Sequence, residues 1–239
     1  MTKFTGFILK RMDYKESSKI LFCYTESGKK SVLVRGANRL SSPFLSITEV
    51  LTLVEISSQG KNLETVKEID VIAAYGNIKA DLIKYTYCLH LLELLYQVSE
   101  AEMDHSKLFH FLTRLLLRIE VESDFIPYCL MFESKLLYLL GIQPEFARCV
   151  VCKKTNNLRF VVSEGGMCCP NHLPLQKSYP PELIKKWLTL YLYNLDQPSG
   201  WEIKQEELIE LRHVLDEYYR YHLSIETTSR KLLSNLLGY

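Results

Sequence analysis

Residues 19–35 read Lys19-Ile20-Leu21-Phe22-Cys23-Tyr24-Thr25-Glu26-Ser27-Gly28-Lys29-Lys30-Ser31-Val32-Leu33-Val34-Arg35. Lys19–Glu26 is a short run of β-formers in which Ile20, Phe22 and Tyr24 alternate with Leu21, Cys23 and Thr25, apolar on both faces. That pattern predicts a strand. Glu26-Ser27-Gly28-Lys29 predicts a turn, with Gly28 available for positive φ, and Ser31–Arg35 is its partner strand. Outward from this hairpin, Phe4–Arg11 predicts a strand before it. A polar loop, Gly36–Pro43, leads to further strands over Thr48–Ile56 and Leu63–Tyr75, separated by a turn at Ser57–Gly60. Five short strands punctuated by turns fit a small closed barrel. The OB-fold is the common five-stranded case, with an SH3-like barrel as the alternative.

From Ile78 the period changes. Ile78, Leu82, Tyr85, Leu89, Leu92 and Tyr96 step by three and four, which predicts an amphipathic helix. Asp104 or Ser106 caps a second helix carrying Leu108, Phe111, Leu112, Leu115 and Ile119. Ser123 or Asp124 opens a third, through Leu130 and Leu137, which Gly141 ends. Pro180-Pro181-Glu182 starts a helix with Trp187 and Tyr191, and two more lie near 205–222 and 225–237. The expected fold is therefore α+β. An OB-fold barrel occupies residues 1–76, and an all-helical domain occupies 77–239 with a cysteine segment, 149–172, inserted in it.

The chain has 239 residues, long enough for two modest domains with real cores. Its 47% hydrophobic and 24% charged residues are those of an ordinary globular protein. No apolar run reaches the roughly 18 residues that span a bilayer, and Met1–Gly6 does not open a signal peptide. A cytoplasmic location is expected. Charge is unevenly placed. Residues 1–40 hold nine Lys and Arg against three acids, so within a net charge of +1 the remaining chain is acidic. One end thus presents a basic face. Lys10, Arg11, Lys15 and Lys19 surround the first loop, which also carries Tyr14, and Lys29, Lys30, Arg35 and Arg39 follow around the hairpin. Phe4, Phe7, Phe22 and Tyr24 interleave with them. A cationic groove with aromatic platforms is how OB-folds hold nucleic-acid strands without reading sequence; the bland alternative makes the aromatics core and the lysines a solvated surface.

Seven cysteines in such a protein suggest metal rather than disulfides. Cys149-Val150-Val151-Cys152 and Cys169-Pro170-Asn171-His172 each offer two ligands across a two-residue gap, 16 residues apart. The spacing matches paired zinc knuckles, and three thiolates with one imidazole make a closed, structural tetrahedron. Gly165-Gly166 supplies the reversal of a small hairpin. Cys168 is expected to be a spare or buried thiol, and Cys23, Cys88 and Cys129 core residues. His90 and His110 are expected to be half-buried or surface histidines, and Asp13 and Glu16 salt-bridge partners. Neither a P-loop, a dinucleotide fingerprint, a zinc-protease motif nor a nucleophile elbow is present, so the expectation is a binding protein, not an enzyme. A basic barrel with a zinc knuckle also suits an RNA-binding or ribosome-associated module, the alternative class.

Gly6-Phe7-Ile8-Leu9-Lys10-Arg11-Met12-Asp13-Tyr14-Lys15-Glu16-Ser17-Ser18-Lys19-Ile20-Leu21, then Thr25–Lys30 with Val34–Arg39, then Cys149–Cys152 and Gly165-Gly166 before Cys169, in this order, resemble the RecO family of bacterial recombination mediators. The resemblance implies an N-terminal OB-fold, a helical domain and a zinc element. It also implies binding of single- and double-stranded DNA, annealing of complementary strands and work with RecR. Contact with the C-terminal tail of the single-stranded-DNA-binding protein, and help in loading RecA, are implied as well. His172 stands where a fourth cysteine is expected, and it is an equally good ligand. No short motif places the pocket for that tail.

Overall fold

The computed structural model describes residues 1–44, 47–100 and 102–237. Five strands form a closed barrel: β1 (Thr2–Tyr14), β2 (Ser18–Thr25), β3 (Gly28–Val34), β4 (Leu53–Gln59) and β5 (Glu64–Ala73). The ring order is β1-β2-β3-β5-β4. Every pairing is antiparallel except β3 with β5, where Val32 lies opposite Glu64 and Leu33 opposite Thr65. A ring closed in that order is the OB arrangement rather than the SH3-like one. Alternation fills it: Ile8, Leu21, Cys23, Val32, Val34, Val54, Ile56, Val66 and Ile69 form one buried cluster. Between Ile8 and Lys10 the register of β1 slips against β2, a bulge that lets one long strand pair with β4 at one end and β2 at the other. The fourth strand starts at Leu53 rather than at Thr48, since Leu51 has a left-handed backbone (φ 58°) that no strand continues through.

Helices follow: α1 (Gly76–Ala80), α2 (Leu82–Val98), α3 (His105–Val121), α4 (Ile126–Leu139), α5 (Pro181–Leu192), α6 (Gln205–Leu223) and α7 (Thr228–Leu237). The single helix expected from Ile78 is two. Asp81 is extended, and its carboxylate accepts from the amides of Ile83 and Lys84 at 2.9 Å each, which starts α2 afresh. The expected stripe fails with it, because Leu82 is 59% exposed. Residues on nearly every side of α2 are buried instead, Tyr87, Cys88, His90, Leu91, Leu94 and Leu95 among them, as α2 packs against both β1 and α7. Asp104 caps α3 through the Lys107 amide. The fourth helix begins behind Phe125, with no side-chain cap, one or two residues later than expected. Gly141 (φ 72°) ends that segment, and the Ile142 amide reaches back to the Leu137 carbonyl. No helix among the described residues is long and apolar enough to cross a membrane.

The chain divides into two compact units, Met1–Glu122 with Thr227–Tyr239, and Ser123–Glu226. A division by element type, at residue 76, and this division by compactness fall in different places. Tertiary contact, not strand or helix content, groups α1–α3 and α7 with the barrel. His90 shows why α7 belongs there. Arg230 donates to its Nε2 at 3.0 Å, which leaves Nδ1 to donate to the Thr227 hydroxyl at 2.6 Å. Glu93 accepts from both the amide and the hydroxyl of Ser229. His90 is thus a buried structural residue. In the second unit, Trp187 is fully buried, its indole N–H on the Ser134 hydroxyl (2.8 Å), with Phe146, Phe160 and Tyr218 set edge-on around it.

The outer face of the barrel carries α3. Phe7 is fully buried, 5.4 Å from Phe109 and 6.3 Å from Tyr75, ring centre to ring centre. Truncation there removes the contact that seats the helix. Phe7→Ala should lower the unfolding free energy of the chain by about 3–5 kcal/mol, read from urea unfolding. A loss under about 1 kcal/mol would show that α3 does not depend on it.

Candidate metal centre and nucleic-acid interface

The second unit inserts a hairpin, β6 (Arg159–Val161) with β7 (Gly166–Cys168), between α4 and α5. Gly165 (φ 67°) donates back to the Val162 carbonyl and closes its turn. The segment Glu145–Cys152 lies along β7: the Glu145 amide donates to Gly165, Met167 donates to Glu145, and Val150 donates to Met167. Gly166 is needed for this approach. A Cβ there would sit 2.8 Å from the Glu145 Cβ, the Glu145 carbonyl oxygen and the Val150 Cγ1. The lay-over brings Cys149 and Cys152 beside Cys169 and His172, which a single 3₁₀ turn, Pro170–His172, presents together.

The ligand atoms of Cys149, Cys152, Cys169 and His172 all lie within 4.8 Å of one another. The Cys152 and Cys169 sulfurs are 3.6 Å apart, and His172 Nδ1 is 3.3 Å from the Cys169 sulfur and 3.7 Å from that of Cys149. A tetrahedron drawn at ordinary zinc–sulfur and zinc–nitrogen lengths has edges of about 3.5–3.8 Å, so the set fits one small ion. Backbone amides, that of Cys152 first and then those of Cys169 and Val151, hold the Cys149 thiol down to about 6, which favours the thiolate a metal requires. Cys168 is different. It is buried, and burial pushes its thiol up to about 11, the state of a core residue. Cys23, Cys88 and Cys129 are buried too.

The eight candidate basic residues, Lys10, Arg11, Lys15, Lys19, Lys29, Lys30, Arg35 and Arg39, fall into three settings. At one end, Lys15 (φ 54°) sits in the β1–β2 turn with its ammonium 5.4 Å from the centre of the half-buried Tyr14 ring. The loop after β3 docks on this turn: the Asn38 amide donates to the Ser17 carbonyl at 2.9 Å, and its side chain donates to Asp13 at 2.8 Å. Arg35 and Arg39 therefore share an end with Lys15, all three exposed, with the buried Lys19 beneath them opposite Val34. Arg11 is exposed on the same half of β1 and lies close enough to raise the cost of charge on Lys79, whose pKa is lowered chiefly by burial. At the opposite end, Lys30 pairs with Glu64 at 3.2 Å over the Phe4 ring, and Glu64 also accepts from Ser58 and Thr2. On the outer face, Lys10 and Lys29 stand 5.1 and 4.9 Å from the centre of the Tyr96 ring, and Lys29 is paired with Glu100.

The aromatic platforms are not where the pattern suggested. Phe7 and Tyr24 are buried, the latter with its hydroxyl 3.0 Å from His105 Nδ1. Phe22 packs edge-on against Tyr96. Alternation told which residues share a face, but not that α2 and α3 cover that face. Asp13 binds Asn38 rather than a base, and exposed His110 lies 3.5 Å from Glu26.

Residues 1–75 match the family model for the recombination protein O N-terminal region, and residues 79–231 match that for the recombination protein O C-terminal region. The chain belongs to the recombination protein O family. It is similar to the DNA repair protein RecO of Listeria monocytogenes serotype 4a (strain HCC23), 29% identical over 246 residues that cover 99% of this chain and 95% of that protein. It is likewise similar to the DNA repair protein RecO of Bacillus cytotoxicus, 30% identical over 240 residues, covering 98% and 97%. The family assignment spans both units, so barrel and knuckle belong to one family plan.

Tyr96, Glu64 and Glu100 carry no local signal of the roles they take around the barrel lysines. Gly166, by contrast, is marked in the sequence by its glycine pair. Gly166→Ala should destabilise the second unit by roughly 1–3 kcal/mol, because the new methyl meets backbone and two side chains at once. Thermal unfolding of the purified variant checks this, and an unchanged midpoint would mean that Glu145–Cys152 can move aside.

Proposed function

We propose that this chain is a DNA-binding mediator of recombinational repair. In that reading it anneals complementary single strands and, with RecR, helps a RecA-type recombinase onto DNA coated by the single-stranded-DNA-binding protein. The observation that carries it is the family match across both units, joined to a barrel end where Arg11, Lys15, Arg35 and Arg39 stand exposed. Of the eight basic residues, only Lys29 and Lys30 are in an ion pair among the described residues, and these four are both exposed and outside the Tyr96 contact that holds Lys10. Lys10 and Lys29 form a second, flanking contact through Tyr96, while Lys30 and Lys19 hold the barrel itself. Phosphates neutralised at this end release condensed counterions and so bind without sequence preference. Two repelling strands held near one cationic surface gain effective concentration. Annealing makes and breaks no covalent bond, so it needs no nucleophile and no nucleotide.

Zinc is the ion that three thiolates and an imidazole favour, with Cys149, Cys152, Cys169 and His172 as its ligands. It would supply a closed structural cross-link and no open position for chemistry. The chain's own residues do the rest: Gly166 admits the ligand segment, and the His172 amide on the Cys169 carbonyl sets the turn.

Purified protein should contain about one zinc per chain. Cys149→Ser and Cys169→Ser should each lose most of it, and Cys168→Ser should keep it. Equal loss in all three would overturn the ligand set.

Replacing Arg11, Lys15, Arg35 and Arg39 together with Ala should weaken single-strand binding and flatten the slope of log affinity against log salt by about 3. ATP-free annealing should fall with it. Annealing of coated strands should also require the coating protein's C-terminal tail, which annealing of bare strands does not. Unchanged affinity in the quadruple variant would move the DNA surface off this barrel end. Matched RNA binding tenfold tighter than DNA would favour the RNA-binding alternative.

A further inference from the structure

Residues 148–186, the knuckle and the first turns of α5, hold seven Lys and Arg against two carboxylates, Glu164 and Glu182. Five of the seven are engaged within their own unit, Lys153 among them, its ammonium on the Val150 carbonyl at 2.8 Å. Arg148 pairs with Glu145 at 3.0 Å and Lys177 with Glu217 at 3.6 Å; Arg159 donates to the Ser178 hydroxyl, and Lys186 to the Glu202 carbonyl. Lys154 and Lys185 have no ion pair among the described residues, and Lys154 is exposed close to the metal ligands.

Lys185 lines one cleft, and Lys154 immediately precedes Thr155, a residue of its wall. The cleft has a volume of about 370 Å³, and its walls include Phe146, Thr155, Asn157, Leu158, Ile184 and Lys185. Lys185 comes from α5, while Lys153 and Lys154 lead into the Thr155–Leu158 wall from the knuckle side. The knuckle wall is stiffly bent. Lys153 and Asn157 both hold left-handed backbone, at φ 63° and 52°, and the Cys149 amide is bonded to the Lys154 carbonyl at 2.8 Å. Lysine at positive φ carries a conformational cost that glycine would not. The Lys153 ammonium closes this turn on the Val150 carbonyl.

We propose that this cleft and its lysines form a second site for single-stranded nucleic acid, carried by the knuckle unit alone. Lys154 and Lys185 take backbone phosphates. An unstacked base enters the cleft against Phe146 and Leu158, its edge toward the hydroxyl of Thr155 and the amide of Asn157. A cation in the cleft wall and a second beside Thr155 suit a backbone that passes across the cleft, and the mixed lining suits a base, which is apolar on its faces and polar at its edge. An acidic peptide ending in an apolar residue would share the charge complementarity. It would use the apolar wall but leave the Thr155 and Asn157 edge unengaged. The proposal rests on the nucleic-acid reading of the chain and gives annealing a second strand-holding surface in the same molecule.

The test uses the full-length zinc-loaded chain, a labelled thymidine oligomer read by fluorescence anisotropy across a salt series, and a short acidic C-terminal peptide as the competing probe. K154A/K185A should keep its zinc and its melting temperature. It should lose on the order of 20-fold in oligomer affinity at 0.1 M salt, with the salt slope flatter by about 1.4, as two lost phosphate contacts require. Asn157→Gly relieves the left-handed backbone while removing the amide, so it should weaken oligomer binding without changing the salt slope. Unchanged oligomer affinity in K154A/K185A overturns the proposal, and if the barrel quadruple variant still binds poorly, the barrel reading stands without it. Loss in K154A/K185A with none in the barrel variant keeps this site and removes the other. If K154A/K185A binds the oligomer normally but loses the acidic peptide, the cleft is a peptide site and the proposal is wrong.

Discussion

Closure of the ring between β3 and β5 is the contact from which the first unit follows. Val32 opposite Glu64 and Leu33 opposite Thr65 are its only parallel registers, and without them both strands would present open edges. Closing the ring turns alternating side chains inward to a filled core and leaves two distinct ends. At one end Lys30 and Glu64 meet beside the seam itself, and their charges are spent on holding it. At the other end the β1–β2 turn and the loop after β3 bind each other through Asn38, and the cations there face outward. The seam thus determines which basic residues serve the fold and which stay available.

Helix packing imposes the second division. A barrel side wall offers its pleated outer face to a ligand only where nothing covers it. Here Phe7 and Tyr24 are sealed under α3, and Phe22 meets Tyr96 of α2. Partly exposed aromatic surface near the basic end includes Tyr14, partly shielded by Lys15, and Tyr85 near Arg11. On the proposed reading, binding at this end leans on phosphate charge more than on stacking, as a surface that holds strands of any sequence requires.

The knuckle unit obeys a different constraint. Its hairpin is too short to hold a core of its own, with three residues in each strand. Two devices compensate. Gly166 lets the ligand-bearing segment lie against β7, and four ligand atoms converge within 4.8 Å so that one ion can tie both halves. Phe160 continues this order into the helices by packing on Trp187 and exchanging backbone hydrogen bonds with Tyr179. The knuckle's exposed lysines therefore ride on a fixed platform.

Sequence alone settled whatever depends on near neighbours. Alternation and turn residues placed five strands, a three-and-four period with capping residues placed most helices, and two-residue gaps picked out Cys149, Cys152, Cys169 and His172 over Cys168. The same local reasoning missed the break at Asp81, because a carboxylate that caps a helix start and one that sits mid-helix look alike until the backbone is seen. Tertiary structure alone decided which aromatics became core, that α7 returns to the first unit through His90, and that eight lysines and arginines split into three groups. Those outcomes hang on partners 34 to 140 residues away, such as Glu64 for Lys30 and Arg230 for His90. A charge or a ring has the same local pattern whether a distant residue covers it or not, and only packing tells the two apart.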